Sequence, residues 1–309
     1  MPSEFALIDR YFRRPTRHTR LGVGDDGAII HPAPGMELVV STDMLVSGTH
    51  FLPDANPEDL GWKTLAVNVS DMAAMGAQPR WALLAAALPA ATESWLEKFA
   101  RGFFACAEEF DVDVIGGDTT RGPRNFCVTI LGEVPAGQAL LRSGARPGDQ
   151  VWVSGKPGRA ALGLAHLQGR HALAEPAECL AALHRPRPRV ALGLALRGLA
   201  TAAIDVSDGL LADLEHILDE SGVSASLCIP DLPPPGIERD CLLAGGDDYE
   251  LIFTAPAERG TDVADLAHAL GLTLTRIGGI QSGVPPRLTL TSAEGEAIDI
   301  GARGYDHFR

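Results

Sequence analysis

The sequence predicts an α/β protein of two domains, on three observations. Apolar, β-branched runs stop abruptly at hydroxyls and carboxylates three times: Leu38-Val39-Val40 at Ser41-Thr42-Asp43, Val112 to Ile115 at Gly116-Gly117-Asp118, and Ala202 to Val206 at Ser207-Asp208-Gly209. Between such runs lie helical stripes, the clearest being Leu96, Phe99, Phe103, Cys106 and Phe110 at 3, 4, 3, 4 spacing. Finally, 309 residues exceed what one hydrophobic core usually serves, and the Gly/Pro-punctuated stretch Pro135 to Gly148 is the natural boundary. Each acid-terminated run reads as a buried strand delivering ligands at its end, because α/β proteins bind ligands outside the carboxyl ends of their strands. A single Asp or Gly after a strand is ordinary turn chemistry; the site hypothesis rests on their number.

In order, Ser3 to Phe12 predicts a short amphipathic helix with Phe5, Ile8 and Phe12 on one side, followed by a basic segment from Arg13 to Arg20. Gly22-Val23-Gly24-Asp25-Asp26-Gly27 sets two adjacent carboxylates between glycines, which either form a bare turn or let the backbone approach a ligand. Asn56-Pro57 is a helix start, with Asn as cap and Pro at the first helical position. Leu65 to Met75 is apolar nearly all round, so its helix is buried, and Gly76 ends it. Asn68 and Asp71 share one face of that helix. An unpaired carboxylate there costs several kcal/mol, so Asp71 requires a partner. Arg or Lys answers for a lone acid; a metal answers better beside other acids. Trp81 to Leu88 is a strand, Ser94 to Phe110 a core-facing helix, and Phe126 to Glu133 the strand that closes the first domain.

The second half opens on strand Val151-Trp152-Val153. Ser154 to Arg159 has only a superficial likeness to a phosphate loop, lacking the Gly-x-x-x-x-Gly-Lys-Ser/Thr order, and reads as a turn before a helix from Ala160. Pro186 to Val190 separates two helical segments. After Ala202 to Asp208 comes a helix with Leu210, Leu214, Ile217 and Leu218 inward, stopping near Gly222. Pro230 to Gly236 is a connection, and Gly245-Gly246-Asp247-Asp248-Tyr249-Glu250 enters strand Leu251 to Thr254. No heptad, tandem repeat or low-complexity tract is present.

Forty acids against twenty-six bases give a net charge of -14, which argues against non-specific binding to nucleic acid or an anionic membrane; a polyanionic partner such as a nucleotide requires divalent cations to mediate. The five cysteines are widely spaced with no C-x-x-C pair, which suggests buried thiols in place of a zinc site or disulfide framework. No signal-peptide core and no apolar run near the ~20 residues of a membrane helix occurs, so the expected compartment is the cytoplasm.

If Asp25, Asp26, Asp43, Asp71, Asp118 and Asp208 gather in one cleft, cations must accompany them: two like charges ~4 Å apart repel by about 4 kcal/mol at an effective dielectric of 20. The donors are all oxygens, which selects magnesium or manganese over zinc. Magnesium on carboxylates keeps positions open for phosphate oxygens, pointing to phosphoryl chemistry on a nucleotide in which metal and positioning supply the catalysis.

Gly24-Asp25-Asp26, Ser41-Thr42-Asp43, the helix Asn68-Val69-Ser70-Asp71-Met72-Ala73-Ala74-Met75-Gly76-Ala77, Gly116-Gly117-Asp118-Thr119-Thr120-Arg121-Gly122, Asp205-Val206-Ser207-Asp208-Gly209-Leu210 and Gly245 to Leu251 occur in this order. Together they resemble the thiamine-monophosphate kinases, within the superfamily of aminoimidazole ribonucleotide synthetase and selenophosphate synthetase, over residues 4 to 308. The resemblance implies an aminoimidazole ribonucleotide synthetase-like α/β (α+β) fold. Residues 1-137 would form an N-terminal ATP- and magnesium-binding domain whose sheet pairs in a homodimer, and 138-309 a C-terminal α/β domain completing the nucleotide and substrate site. It implies several magnesium ions on Asp26, Ser41, Thr42, Asp43, Asp71, Asp118, Asp205 and Asp208. ATP would contact Gly117, Asp118, Arg142 and Ser207, and thiamine monophosphate His50, Asp247 and Tyr305. Asp247 stands where the family often has Glu. The implied reaction is direct in-line phosphorylation of thiamine monophosphate by ATP to thiamine diphosphate.

Overall fold

The computed structural model describes residues 8–90, 92–283, 285, 287–292, 294–301 and 304. It divides into two compact units, one built from residues up to Met72 and Ala77–Gly137, the other from Ala73–Gly76 and from Gln138 onward.

The first unit is a four-stranded sheet with helices on one face. Its strands are β3 (Met36–Val46), β4 (Gln78–Leu88), β5 (Asp113–Arg121) and β6 (Asn125–Pro135), in the order β3-β6-β4-β5; only β4 and β5 run parallel. A two-stranded ladder, β1 (Thr19–Leu21) with β2 (Ile29–Ile30), precedes it. Helix α1 (Pro57–Ala74) begins as expected, the Asn56 side-chain oxygen accepting the Glu58 N–H at 2.9 Å, and gives way at Gly76 with φ of 62°. Helix α2 (Glu93–Glu109) lies against it so closely that a Cβ at Gly61 would collide with the Phe99 carbonyl, and one at Gly102 with the Glu58 carbonyl. Of the expected stripe, Leu96, Phe99, Phe103 and Cys106 are buried, while Phe110 follows the helix as its C-cap and is only partly buried; the Phe99 ring stacks on Phe126 of β6 with centroids 4.6 Å apart.

Side chains alternate across β3 and β6, as the pleat requires. Phe126, Val128 and Ile130 are buried under the helices, while the opposite face carries Met36, Leu38, Val40, Thr42 and Met44, with Val40 60% and Met44 52% exposed. Two expectations are thereby corrected. Leu38 to Asp43 is not a buried strand with ligands at its end, since β3 is an edge strand with one open face and Ser41, Thr42 and Asp43 lie in its middle. Likewise Gly116-Gly117-Asp118 does not end a strand; β5 runs on to Arg121. A continuous apolar run fits a strand buried on both faces or an apolar face left open, and periodicity cannot tell them apart.

The basic segment is held down by acids. The Asp113 carboxylate accepts the Arg17 and His18 N–H groups and the Thr19 hydroxyl, and Asp111 pairs with Arg17, His18 and Arg80. Of the expected N-terminal helix, the described part is one π-helical turn, Ile8–Phe12; Ser3 and Phe5 lie outside the described residues.

The second unit is a seven-stranded sheet of β7 (Asp149–Ser154), β8 (Ala202–Asp205), β9 (Ser224–Leu227), β10 (Leu251–Pro256), β11 (Leu274–Gln281), β12 (Leu288–Thr291) and β13 (Ala297–Ile298), ordered β13-β12-β9-β11-β7-β10-β8. All its pairings are antiparallel except β12 with β9. Its helices are α3 (Arg159–Leu167), α4 (Ala177–His184), α5 (Val190–Leu196), α6 (Leu210–Ser221), α7 (Ile237–Ala244) and α8 (Gly260–Leu270). The core joins Val151 and Val153 of β7, Ile204 of β8 and Ile252 of β10 to Leu210, Leu214, Ile217 and Leu218 of α6, which Gly222 ends in the left-handed region. Of the cysteines, Cys106 and Cys241 are buried but Cys228 is exposed and Cys127 and Cys179 are partly so, correcting the expectation of uniformly buried thiols.

Candidate active site

In the first unit the open face of the sheet borders a cavity of about 770 Å³. Its walls include Gly24-Asp25-Asp26-Gly27, Gly116-Gly117-Asp118-Thr119, Leu83 to Ala85, Cys127 and Thr129. The register explains the gathering: β4 pairs Leu84 with Gly117 and Ala85 with Asp118, and Ala85 also faces Cys127 of β6. Gly117 has φ of 151°, and a Cβ there would collide with the Leu84 carbonyl, so this wall admits only glycine. Asp25, Asp26 and Asp118 therefore share one cavity, and two of the acidic motifs meet. Thr42, opposite Thr129 in the ladder, exchanges a 2.6 Å hydroxyl hydrogen bond with it.

The other side of β3 faces α1. The Ser41 hydroxyl donates to the Asp71 carboxylate at 2.6 Å, and the Asp43 N–H donates to the Asn68 side-chain oxygen at 3.0 Å. Asn68 is buried, but Asp71 is only half-buried, so the expected fully interior carboxylate is corrected: it stands at the helix surface beside β3. His50 sits in the turn after β3, its Nδ1 accepting the Val46 N–H at 3.0 Å.

In the second unit two motifs are knitted into one structure. Val206 N–H donates to the Glu250 carbonyl (2.8 Å), Tyr249 N–H to that of Val206 (2.9 Å) and Asp247 N–H to that of Ser207 (2.8 Å). Within Asp247 to Glu250 each side chain has a separate task. Asp247 (φ 73°) and Tyr249 (φ 54°) both adopt the left-handed region, and the Tyr249 hydroxyl donates to Asp247 at 3.0 Å. Non-glycine residues held there carry strain that surrounding contacts must offset. Asp248 receives the Gly158 and Ala160 N–H groups at 2.5 and 3.1 Å, so it caps α3; the turn before a helix that the sequence indicated at Ser154 to Arg159 is present over residues 155–158. Glu250 is gripped by Arg189 Nε and Nη2 (2.6 and 2.5 Å) and by the Ser154 hydroxyl (2.5 Å). Burial pushes the Asp248 carboxyl up to about 7, opposed by the two backbone donors.

Asp205 ends β8, buried, while Ser207 is exposed and Asp208 partly so. Beneath them Asp213 of α6 accepts the N–H groups of Ser207, Asp208 and Gly209 on one oxygen. Burial first, and then the charge of Asp205, raise its carboxyl to about 7. Arg142 is exposed, its carbonyl accepting the Ser221 hydroxyl at 3.1 Å. Tyr305 lies outside the described residues.

Asp25, Asp26, Thr42, Asp71 and Asp118 in the first unit and Asp205, Ser207 and Asp208 in the second offer carboxylate and hydroxyl oxygens, donors that fit magnesium. Among the described residues no three His, Cys, Asp or Glu side chains stand close enough to enclose an ion. Magnesium suits such open carboxylates, because it keeps several waters and phosphate oxygens in its shell. Four residues were not singled out from the sequence: Thr129, Asp213, Asp248 and Glu250. For Asp213 a signal existed, since it falls between Leu210 and Leu214 on the inward stripe of α6, the placement that drew attention to Asp71.

The two units correspond to the two halves of a known family: residues 24–134 match the N-terminal domain, and 146–290 the C-terminal domain, of AIR synthase related proteins. Within it the chain belongs to the thiamine-monophosphate kinase family. It is 45% identical to thiamine-monophosphate kinase of Escherichia coli K12, covering 99% of this chain and 98% of the relative. The crystal structure of thiamine-monophosphate kinase from Stenotrophomonas maltophilia K279a is similar at 47% identity and a TM-score of 0.84, over 96% of this chain and 98% of that one. AaThiL complexed with AMPPCP and TMP is similar at 32% identity and a TM-score of 0.76, over 93% of this chain and 92% of that one.

Proposed function

We propose that this chain uses ATP to phosphorylate thiamine monophosphate to thiamine diphosphate. The observation that carries the reading is the cavity walled by Asp25, Asp26, Gly117 and Asp118 in a chain whose full-length relatives are thiamine-monophosphate kinases. An oxygen of the substrate phosphate attacks the γ-phosphorus in line, the bond from that phosphorus to the β-phosphate oxygen breaks, and ADP leaves with the electron pair. No side chain forms a covalent intermediate; the residues bind and orient.

On this reading Gly117 lets the backbone approach the nucleotide, joined by Asp118, Arg142 and Ser207, while His50, Asp247 and Tyr305 contact thiamine monophosphate. Asp26, Ser41, Thr42, Asp43, Asp71 and Asp118 in the first unit, and Asp205 and Asp208 in the second, hold magnesium. When bound, magnesium neutralises phosphate charge and aligns the reacting oxygens. The exposed apolar row Met36, Leu38, Val40 and Met44 supports a homodimer formed through the open sheet face. Among the described residues no helix is long and apolar enough to cross a membrane, and the described cysteines are free, which supports a cytoplasmic site of action.

The test is a magnesium- and ATP-dependent assay with thiamine monophosphate, aminoimidazole precursors and selenide as alternative acceptors. Thiamine diphosphate formed in step with ADP is the expected result. ADP release with another acceptor only, or ATP binding without acceptor-dependent turnover, would overturn the reading.

A further inference from the structure

We infer that Asp213 is a positioning residue: its carboxylate fixes the turn Ser207-Asp208-Gly209 so that the Asp208 carboxylate and Ser207 hydroxyl are presented outward to a magnesium-bound nucleotide. The inference rests on the magnesium and nucleotide reading above.

Asp213 is 2% exposed, and its Oδ2 accepts three consecutive backbone N–H groups, from Ser207 at 3.0 Å, Asp208 at 3.0 Å and Gly209 at 3.1 Å. Successive amides converging on one point make an anion-binding concavity. In this turn the protein's own carboxylate fills it. The carbonyl side is pinned independently, by the N–H donors of Asp247 and Tyr249 to Ser207 and Val206. Two glycines make this double grip possible. A Cβ at Gly246 would collide with the Ser207 carbonyl, and one at Gly209 (φ 129°) would stand 2.8 Å from the Ala244 carbonyl.

With the amides drawn inward to Asp213 and the carbonyls drawn to the neighbouring loop, the side chains of residues 207 and 208 are what remain outside. Ser207 is accordingly exposed and Asp208 partly exposed, one residue from the buried N-terminus of α6. All three amides share the single Oδ2 atom, so its exact placement sets the shape of the turn. Asn at this position keeps the shape and one acceptor but loosens the turn. A purely structural cap would instead affect stability alone, leaving the metal requirement of the folded protein untouched.

The test compares D213N and D208N with the parent full-length chain in three measurements. These are Mn²⁺ binding followed by electron paramagnetic resonance with a non-hydrolysable ATP analogue, the magnesium concentration giving half-maximal rate, and thermal melting. Both variants are expected to bind Mn²⁺ more weakly, D213N on the order of tenfold, the usual loss when a group supporting a metal ligand is removed. D213N should also need proportionately more magnesium and recover most of its rate at saturation. A D213N protein whose folded fraction binds Mn²⁺ as tightly as the parent, while D208N does not, overturns the inference and spares the metal site. Unchanged Mn²⁺ binding by D208N removes the metal reading of this turn and the inference with it. Should D213N fail to fold, Gly209→Ala distorts the same turn with Asp213 retained; its Mn²⁺ affinity must fall likewise, and an unchanged affinity overturns the inference.

Discussion

Glu250 is a place where a single change should destabilise the second unit. Its carboxylate is almost fully buried and receives Arg189 through two nitrogens at 2.6 and 2.5 Å and the Ser154 hydroxyl at 2.5 Å. Removing one member of a buried pair costs 3–5 kcal/mol, because the other charge is left behind. Here the Arg189 side chain keeps 26% of its exposure, so water relieves part of that, and Glu250→Gln is expected to cost about 2 to 3 kcal/mol after the discount. Arg189→Met strands the more deeply buried Glu250 and should cost at least as much. Urea denaturation followed by tryptophan fluorescence measures both, and the double variant closes the cycle. If the pair is the source, the double variant loses clearly less than the sum, with a coupling of about 1.5 kcal/mol or more. Additivity within about 0.5 kcal/mol would refute the reasoning, as would a Glu250→Gln melt indistinguishable from the parent.

Three further outcomes follow from the site. Asp71→Asn keeps shape and deletes charge, so it should still fold without magnesium, weakening only the charge-assisted bond from Ser41, yet lose most turnover and need more magnesium; a strongly destabilised variant with an unchanged rate per folded molecule and an unchanged magnesium requirement would remove Asp71 from the metal set. Gly117→Ala forces a Cβ onto the Leu84 carbonyl at a φ of 151°; strain of about 1–3 kcal/mol should lower the melting temperature and weaken binding of an ATP analogue, and wild-type affinity would show that the backbone wall is not where nucleotide approaches. Asp248 holds its proton up to about pH 7 in the folded protein against an ordinary value of 3.8. Because the folded pKa is the higher one, its contribution to stability is complete below about pH 4 and is lost as pH rises through 7. The melting temperature of the parent relative to Asp248→Asn should therefore fall between those limits, and a flat difference would contradict the assignment.

Much of this was legible in the sequence for local reasons. Asn56-Pro57, the stripe from Leu96 to Cys106 and the stop at Gly222 depend on neighbours a few residues apart, and the structure has them as expected. What sequence could not supply was pairing. That β3 is an edge strand with an open apolar face, or that β5 continues through its glycines, depends on partners up to a hundred residues away. Of the three runs expected to end in acids, only β8 does so, at Asp205; in β3 and β5 the polar residues lie in mid-strand. The roles of Asp248 and Glu250 were hidden for the same reason. Within one acidic motif, a helix cap and an ion-pair member look the same as a ligand until Gly158 and Arg189 are seen opposite them.

The alternation of β3 constrains how its three consecutive polar residues can act. Ser41 spends its hydroxyl on Asp71 on the helix side, while Thr42 spends its own on Thr129 on the open side. The strand is thus a partition, and side chains from its two faces cannot close around one central cation while those bonds persist. Ser41 with Asp71 would serve a cation on the helix side and Thr42 one on the open side. Removing Ser41 and removing Thr42 should then leave different fingerprints in a titration, each depleting its own step, where a single cage would lose every step at once.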